Sequence, residues 1–264
     1  MPRAKRRLGQ HFLTDPRLLG RIADAVGAGP EDTVLEIGPG PGGLTAELAA
    51  RAGRVVAIEK DRDLVPALRE RFPTVTIVEG DALELDWHAL VGERGLVAGN
   101  IPYNITSPLI DKALEPPPPQ RIVFLVQKEV ADRVTAAAGT PAYGALSVGV
   151  QAVTHAERLF TVPAGAFRPR PKVDSAVLRL TPLATPLVTT AEQPAFRRLV
   201  VGLFGFRRKQ LGRGLRQLTG WDAVRVHALL ARTGIGAEER PEVLAPPRFA
   251  ALLRALVDEG WASR

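Results

Sequence analysis

Leu18, Leu19, Ile22, Ala23 and Val26 recur at the three- and four-residue spacing of an amphipathic helix. Asp15-Pro16 ahead of them supplies a side-chain cap and a proline suited to the first helical turn, which predicts a helix over 14–28. A different rhythm follows. Short apolar runs at 33–37, 54–58, 74–78, 95–98 and 121–126 read as buried strands, and helical spacing fills 43–52, 61–72, 104–115 and 127–138 between them. Strands alternating with helices in this way predict an α/β fold with a mostly parallel, doubly wound sheet covered on both faces. After a helix near 141–152, strands at 155–162 and 173–180 flank a Pro- and Arg-rich loop over 163–172. So short a connection predicts an antiparallel addition at one sheet edge. The stretch 181–190 has no clear period, and from Pro194 onward the spacing is helical in four successive groups, around Leu199, Leu215, Leu229 and Leu253. Two domains are therefore expected, an α/β domain over 1–181 and a small all-α domain over 182–264.

The loop after the first strand of that alternation is Glu36-Ile37-Gly38-Pro39-Gly40-Pro41-Gly42-Gly43. Glycines there let the backbone turn sharply and approach a ligand closely. G-x-G-x-x-G alone is a weak signal, but acids stand at the ends of successive strands: Glu36, then Glu59, then Asp81. Glu59 is placed for a ribose diol and Asp81 for an adenine amine, at the carboxyl ends of strands where open α/β sheets bind ligands. A dinucleotide would set its pyrophosphate against these acids. S-adenosylmethionine has no phosphate, so the ladder of acids favours it, and the expected fold becomes a Rossmann-like, S-adenosylmethionine-dependent methyltransferase.

The fourth strand runs into Asn100-Ile101-Pro102-Tyr103-Asn104, which holds both asparagines of the chain and one of its two tyrosines. Methylating an exocyclic amine requires a lone pair otherwise delocalised into the purine ring. Acceptors aimed at its N–H bonds, the Asn100 oxygen and a backbone carbonyl held by Pro102, would free that lone pair, with Tyr103 stacked on the base. Positioning and electrostatics suffice for such a transfer. The chain has no cysteine and four scattered histidines, so disulfides, thiolate chemistry and cysteine-based zinc sites are excluded and no metal is expected.

Gly9-Gln10-His11-Phe12-Leu13, Glu36-Ile37-Gly38-Pro39-Gly40, Glu59-Lys60, Gly80-Asp81-Ala82, Asn100-Ile101-Pro102-Tyr103-Asn104-Ile105 and Phe167-Arg168-Pro169-Arg170-Pro171-Lys172-Val173-Asp174-Ser175-Ala176-Val177 stand in the order seen in the ribosomal RNA adenine dimethyltransferases. The chain resembles that family along nearly its whole length, most nearly the KsgA/RsmA type. The resemblance implies dimethylation of N6 on two adjacent adenosines in the 3′-terminal hairpin loop of small-subunit (16S) rRNA during subunit biogenesis, by a cytoplasmic monomer without a membrane anchor. It also implies roles: His11, Leu13, Gly38, Glu59, Asp81 and Asn100 around the cofactor, with Asn100, Tyr103 and Phe167 at the chemistry, Tyr103 and Phe167 sandwiching a flipped adenine. A large-subunit rRNA methylase of the antibiotic-resistance type and a non-catalytic assembly factor are the alternatives. A DNA adenine methylase fits less well, because its motif usually begins Asp-Pro-Pro-Tyr.

Charge agrees with an RNA partner. Net charge is +7, and residues 182–264 hold 13 basic and 7 acidic side chains. Arg207, Arg208, Lys209, Arg213 and Arg216 cluster in the second domain, and Arg3, Lys5, Arg6 and Arg7 precede the first. Such clusters suit phosphate contact. Gly212 and Gly214 within the cluster cost roughly 1 kcal/mol each in a helix interior, which predicts a kink or a loop there. The basic residues near the start are not followed by an apolar stretch, so no secretory signal is expected. The 29 arginines against 6 lysines suit either a thermophile or a GC-rich genome.

Overall fold

The computed structural model describes residues 5, 8–92, 95–206 and 208–261. Arg3, Arg6, Arg7 and Arg207, named above as basic residues, lie outside the described residues. The chain forms two compact units, Met1–Ala131 with Ala156–Pro182, and Asp132–His155 with Leu183–Arg264. The units are therefore discontinuous in sequence. Residues 132–155, read above with the α/β domain, cluster with the helical segment instead.

The first unit holds nine strands: Phe12–Leu13 (β1), Thr33–Ile37 (β2), Arg54–Glu59 (β3), Thr76–Glu79 (β4), Leu96–Asn100 (β5), Arg121–Gln127 (β6), Thr154–Val162 (β7, whose first two residues belong to the other unit), Phe167–Arg168 (β8) and Ser175–Pro182 (β9). Seven form one sheet in the order β4-β3-β2-β5-β6-β9-β7. The pairs from β4 to β6 are parallel, and β9 runs antiparallel to β6, which makes the expected edge addition. β1 and β8 pair separately and antiparallel, with Leu13 opposite Phe167. The central strands are nearly continuous in apolar residues because both faces are covered: Val34, Leu35, Val56, Ala57, Ala98, Val123 and Phe124 are all fully buried.

The helices of the first unit are Pro16–Val26 (α1), Gly43–Ala49 (α2), Val65–Arg71 (α3), Trp87–Val91 (α4), Thr106–Ala113 (α5) and Lys128–Val134 (α6, whose last three residues belong to the other unit). α1 begins as its sequence predicts. The Asp15 side chain accepts from Arg17 N at 2.9 Å and Leu18 N at 3.3 Å, and Gly27 closes the helix in the left-handed region. The short α4, capped by Asp86, has no counterpart in the apolar periodicity. Strand order reverses between β2 and β5, the topological switch point at which doubly wound sheets bind ligands.

The second unit gathers Ala145–Gln151 (α7), Gln193–Gly205 (α8), Leu211–Thr219 (α9), Ala223–Thr233 (α10) and Pro246–Asp258 (α11) around Tyr143, Phe196, Leu203, Leu215, Phe249 and Leu253. The Tyr143 hydroxyl, buried with its ring, donates to the Leu244 carbonyl at 2.6 Å. The kink or loop expected at Gly212 and Gly214 does not occur. Both are buried inside the regular helix α9, where added Cβ atoms would lie 3.4 Å from Ala237 and 3.2 Å from Leu203. Close packing outweighs the helix-propensity cost. Among the described residues no helix is long and apolar enough to cross a membrane.

Candidate active site

A cavity opens at the carboxyl ends of β2, β3 and β5, in the first unit. Its wall includes His11, Leu13, Gly38, Glu59, Asp81, Asn100 and Tyr103, so seven residues drawn from five separate sequence motifs meet in one place. Phe167 does not reach it. That ring is fully buried in the apolar cluster with Leu13, Val162 and Val177, contrary to the expectation of an aromatic presented from an open loop. β1–β8 pairing turns the side chain inward, and burying such a ring is worth about 1.5–3 kcal/mol. In this conformation Phe167 cannot stack on a base.

The glycine loop is shaped by backbone need. Gly38 (φ 68°) and Gly40 (φ 56°) sit in the left-handed region, and a Cβ on Gly40 would lie 3.0 Å from the Phe12 ring. Gly40 N–H then donates to one Glu59 carboxylate oxygen at 3.0 Å, while Asp61 N–H donates to the other at 2.7 Å. Burial pushes the Glu59 carboxyl upward in pKa, and these backbone donors oppose it. Each oxygen keeps capacity for a second donor, as a ribose diol would provide.

Asp81 is differently placed. One oxygen accepts from Leu83 N at 3.0 Å and the other is ion-paired with Lys60. The Lys60 ammonium holds its pKa below the usual carboxylate range. An adenine amine meeting Asp81 would share it with Lys60.

Asn100 ends β5. Its side-chain N–H donates to the His11 carbonyl at 2.9 Å, and among the described residues its amide oxygen has no partner. The contact fixes which way the amide faces, with the acceptor left over for the cavity. Tyr103 is half-buried. Its hydroxyl hydrogen-bonds Ser175 at 2.6 Å, and its ring stacks on His11 with centroids 5.6 Å apart and 23° between planes. Burial raises its pKa, with the Ser175 bond opposing. His11 Nδ1 lies 2.8 Å from the Pro169 carbonyl, so the imidazole bridges Tyr103 and the 163–172 loop. The Pro102 carbonyl accepts from Ile105 N and the Thr106 hydroxyl, both at 3.2 Å. Two donors already engage it, which leaves the carbonyl of Ile101, another lining residue, as the candidate backbone acceptor.

Three contributors escaped the sequence reading. Gln10 Nε2 donates to the buried Asp61 at 3.0 Å, and Lys5 pairs with the same carboxylate, which anchors the segment that forms one cavity wall. Ser175 orients Tyr103. Gln10 and Ser175 lie inside recognised motifs, whereas nothing in the spacing marks Asp61. The basic cluster belongs to the second unit, where Arg208, Lys209, Arg213 and Arg216 are exposed.

The donor set suits a nucleoside with a cationic tail: a hydrogen-bonded carboxylate for a diol, a second acid, a tight backbone loop, and a buried Glu36 oxygen without a partner. Fold and site together define a Rossmann-like methyltransferase. The model of the ribosomal RNA adenine dimethylase family matches residues 1–245, and this chain belongs to that family. It is 45% identical over 267 residues to the ribosomal RNA small subunit methyltransferase A of Geobacter metallireducens, covering 98% of this chain and 97% of the relative. The protein of the same name from Bacillus mycoides is 40% identical, with 96% and 91% covered. Among solved structures, a dimethyladenosine transferase from Plasmodium falciparum superposes with a TM-score of 0.83 at 26% identity, covering 95% of this chain and 98% of that one. The 23S rRNA methyltransferase ErmE gives 0.74 at 32% identity, with 93% and 99% covered.

Proposed function

We propose that this protein dimethylates N6 of two adjacent adenosines in the 3′-terminal hairpin loop of small-subunit rRNA, using S-adenosylmethionine, during assembly of that subunit. Family membership supports the reaction class, and the names of relatives at 40–45% identity support the small subunit as substrate. The observation that carries the chemistry is the Asn100 amide, tethered through its nitrogen, with no partner for its oxygen among the described residues.

When bound, S-adenosylmethionine supplies an electrophilic methyl group. Glu59 would accept hydrogen bonds from its ribose hydroxyls, Asp81 would share its carboxylate with the adenine amine, and Gly38, His11 and Leu13 would border it. Asn100 Oδ1 accepts from one N6–H of the target base and the Ile101 carbonyl from the other. Both draw the nitrogen toward a tetrahedral form and localise its lone pair. Because these acceptors are preorganised by the fold, little reorganisation remains for the moment of transfer. Tyr103 stacks on the base once His11 yields that face of its ring, and Phe167 would have to leave the core to complete a sandwich. The exposed basic residues of the second unit hold phosphates.

Labelled S-adenosylmethionine incubated with small subunits lacking dimethyladenosine, beside large subunits and duplex DNA, tests this reading. Dimethyladenosine in small subunits alone is expected. Label in large subunits, the target in the name of ErmE, would keep the chemistry and overturn the substrate. No label with RNA binding intact would favour an assembly factor.

A further inference from the structure

Glu36 lies in the wall of the cavity at 1% exposure, and among the described residues its Oε2 has no hydrogen-bond partner. The hydroxyl of Thr45, on α2, is equally buried and equally without a partner. Two neighbouring buried polar atoms that leave each other unsatisfied call for an explanation. Sheet register supplies the position. Glu36 on β2 pairs with Ala57 on β3 and Ala98 on β5. Side chains two residues apart share a face, so Glu59 and Asn100 stand on the same face one step nearer the strand ends. Glu36 is thus the floor between the carboxylate proposed to hold the ribose and the amide proposed to meet the target amine. The sulfonium of the methyl donor belongs between those two groups.

We infer that Glu36 is the charge partner of the donor's sulfonium, a carboxylic acid in the empty protein that ionises when the methyl donor binds and regains its proton once the sulfonium has become a thioether. This rests on the S-adenosylmethionine reading above. Burial favours the neutral acid and pushes the pKa of Glu36 up to about 8; the Thr45 hydroxyl beside it lowers it in part, without satisfying either atom, and the charge of Glu59 raises it further. The other ionisable side chains of the cavity are Asp81, paired with Lys60, and His11 on the N-terminal wall. α4, which also packs on β2, carries His88. A fixed positive charge over Glu36 offsets the cost of its ionisation. In the transfer itself the N6 lone pair forms the new C–N bond, the C–S pair goes to sulfur, and N6 loses a proton. Glu36 releases one proton to solvent at donor binding and takes one back after the sulfonium is discharged, so the net proton of turnover is the one from N6. The spent donor, with no sulfonium, then faces a neutral acid rather than a counter-charge, which favours its departure over that of the fresh donor.

Calorimetric titration in buffers of different ionisation enthalpy counts the protons. At pH 7 wild-type protein is expected to release close to one more proton per S-adenosylmethionine bound than per S-adenosylhomocysteine. Between pH 6 and pH 7 the ratio of the two affinities should grow about tenfold, a range below the ~8 at which the α-amino group of either ligand titrates. An analogue with a protonated amine in place of the sulfonium should behave like the methyl donor. Glu36→Gln, nearly isosteric with the neutral acid, should abolish the excess, and if that variant misfolds the three-ligand comparison on wild-type protein still decides. Equal proton release for donor and thioether, or an excess that survives in Glu36→Gln, overturns the inference. Absence of any donor binding to the folded protein would instead remove the functional reading on which it rests.

Discussion

At Asn100 one amide would serve two tasks in the proposed reaction: its nitrogen ties β5 to the N-terminal segment through the His11 carbonyl, and its oxygen would meet the target amine. Asn100→Ala should therefore lower kcat by about 10²-fold or more, the scale seen when one preorganised hydrogen-bonding group is removed, with RNA affinity kept. Single-turnover methylation beside filter binding measures both, and turnover near wild type would exclude Asn100 from the chemistry. Asn100 was legible because the chain holds only two asparagines and places both beside Tyr103. Phe167 was legible as part of a motif but not in its burial, since a Pro- and Arg-rich stretch gives no hint that two residues of it pair with β1. The state of Glu36 was equally hidden. Sequence places an acid at the end of a strand, and only the register shows that it lies a step below the rim, out of water.

Between elements of the second unit, Glu192 joins α8 to α11. It accepts from Arg254 at 2.9 Å and from Thr189 N at 2.7 Å, and the Arg254 guanidinium is the main cause that holds its carboxyl near pKa 2. A depressed pKa adds stability that is present above the unfolded value of about 4.3 and is lost as pH falls toward 2. Partial exposure of both groups screens the pair and keeps the effect small. Glu192→Gln should lower the denaturation midpoint at pH 6, with the gap to wild type closing as pH falls toward 2; an unchanged gap would assign the loss to something other than this charge. Elements themselves were mostly readable. Periodicity located the central strands and the four helices after Pro194 because each buries a clear face. At α9 the period held while glycine propensity argued for a kink or loop that packing overruled, and periodicity failed at α4 and β1, which are too short to carry one.

For the whole molecule, the proposed encounter with RNA would rest on the exposed basic residues of the second unit. Replacing Arg208, Lys209, Arg213 and Arg216 by Gln should flatten the dependence of log affinity on log salt, by roughly 0.7–0.9 for each phosphate no longer neutralised. Fluorescence titration at several salt concentrations would show it, and a parallel shift with unchanged slope would mean that these residues do not meet phosphate. The two-unit organisation was readable only in part, because segment 132–155 carries helical spacing on either side of a boundary that composition does not mark. One pairing also bears on how the protein comes into being. Phe12 and Leu13 are made some 150 residues ahead of their strand partners, Arg168 and Phe167. At ~5–20 residues per second the wall holding His11 waits many seconds for its counterpart, while β2, β3 and β5 can already assemble. The wall of the methyl-donor chamber is therefore fixed late although its own residues are made early, and a nascent protein lacks that closed wall until Phe167 and Arg168 have been translated.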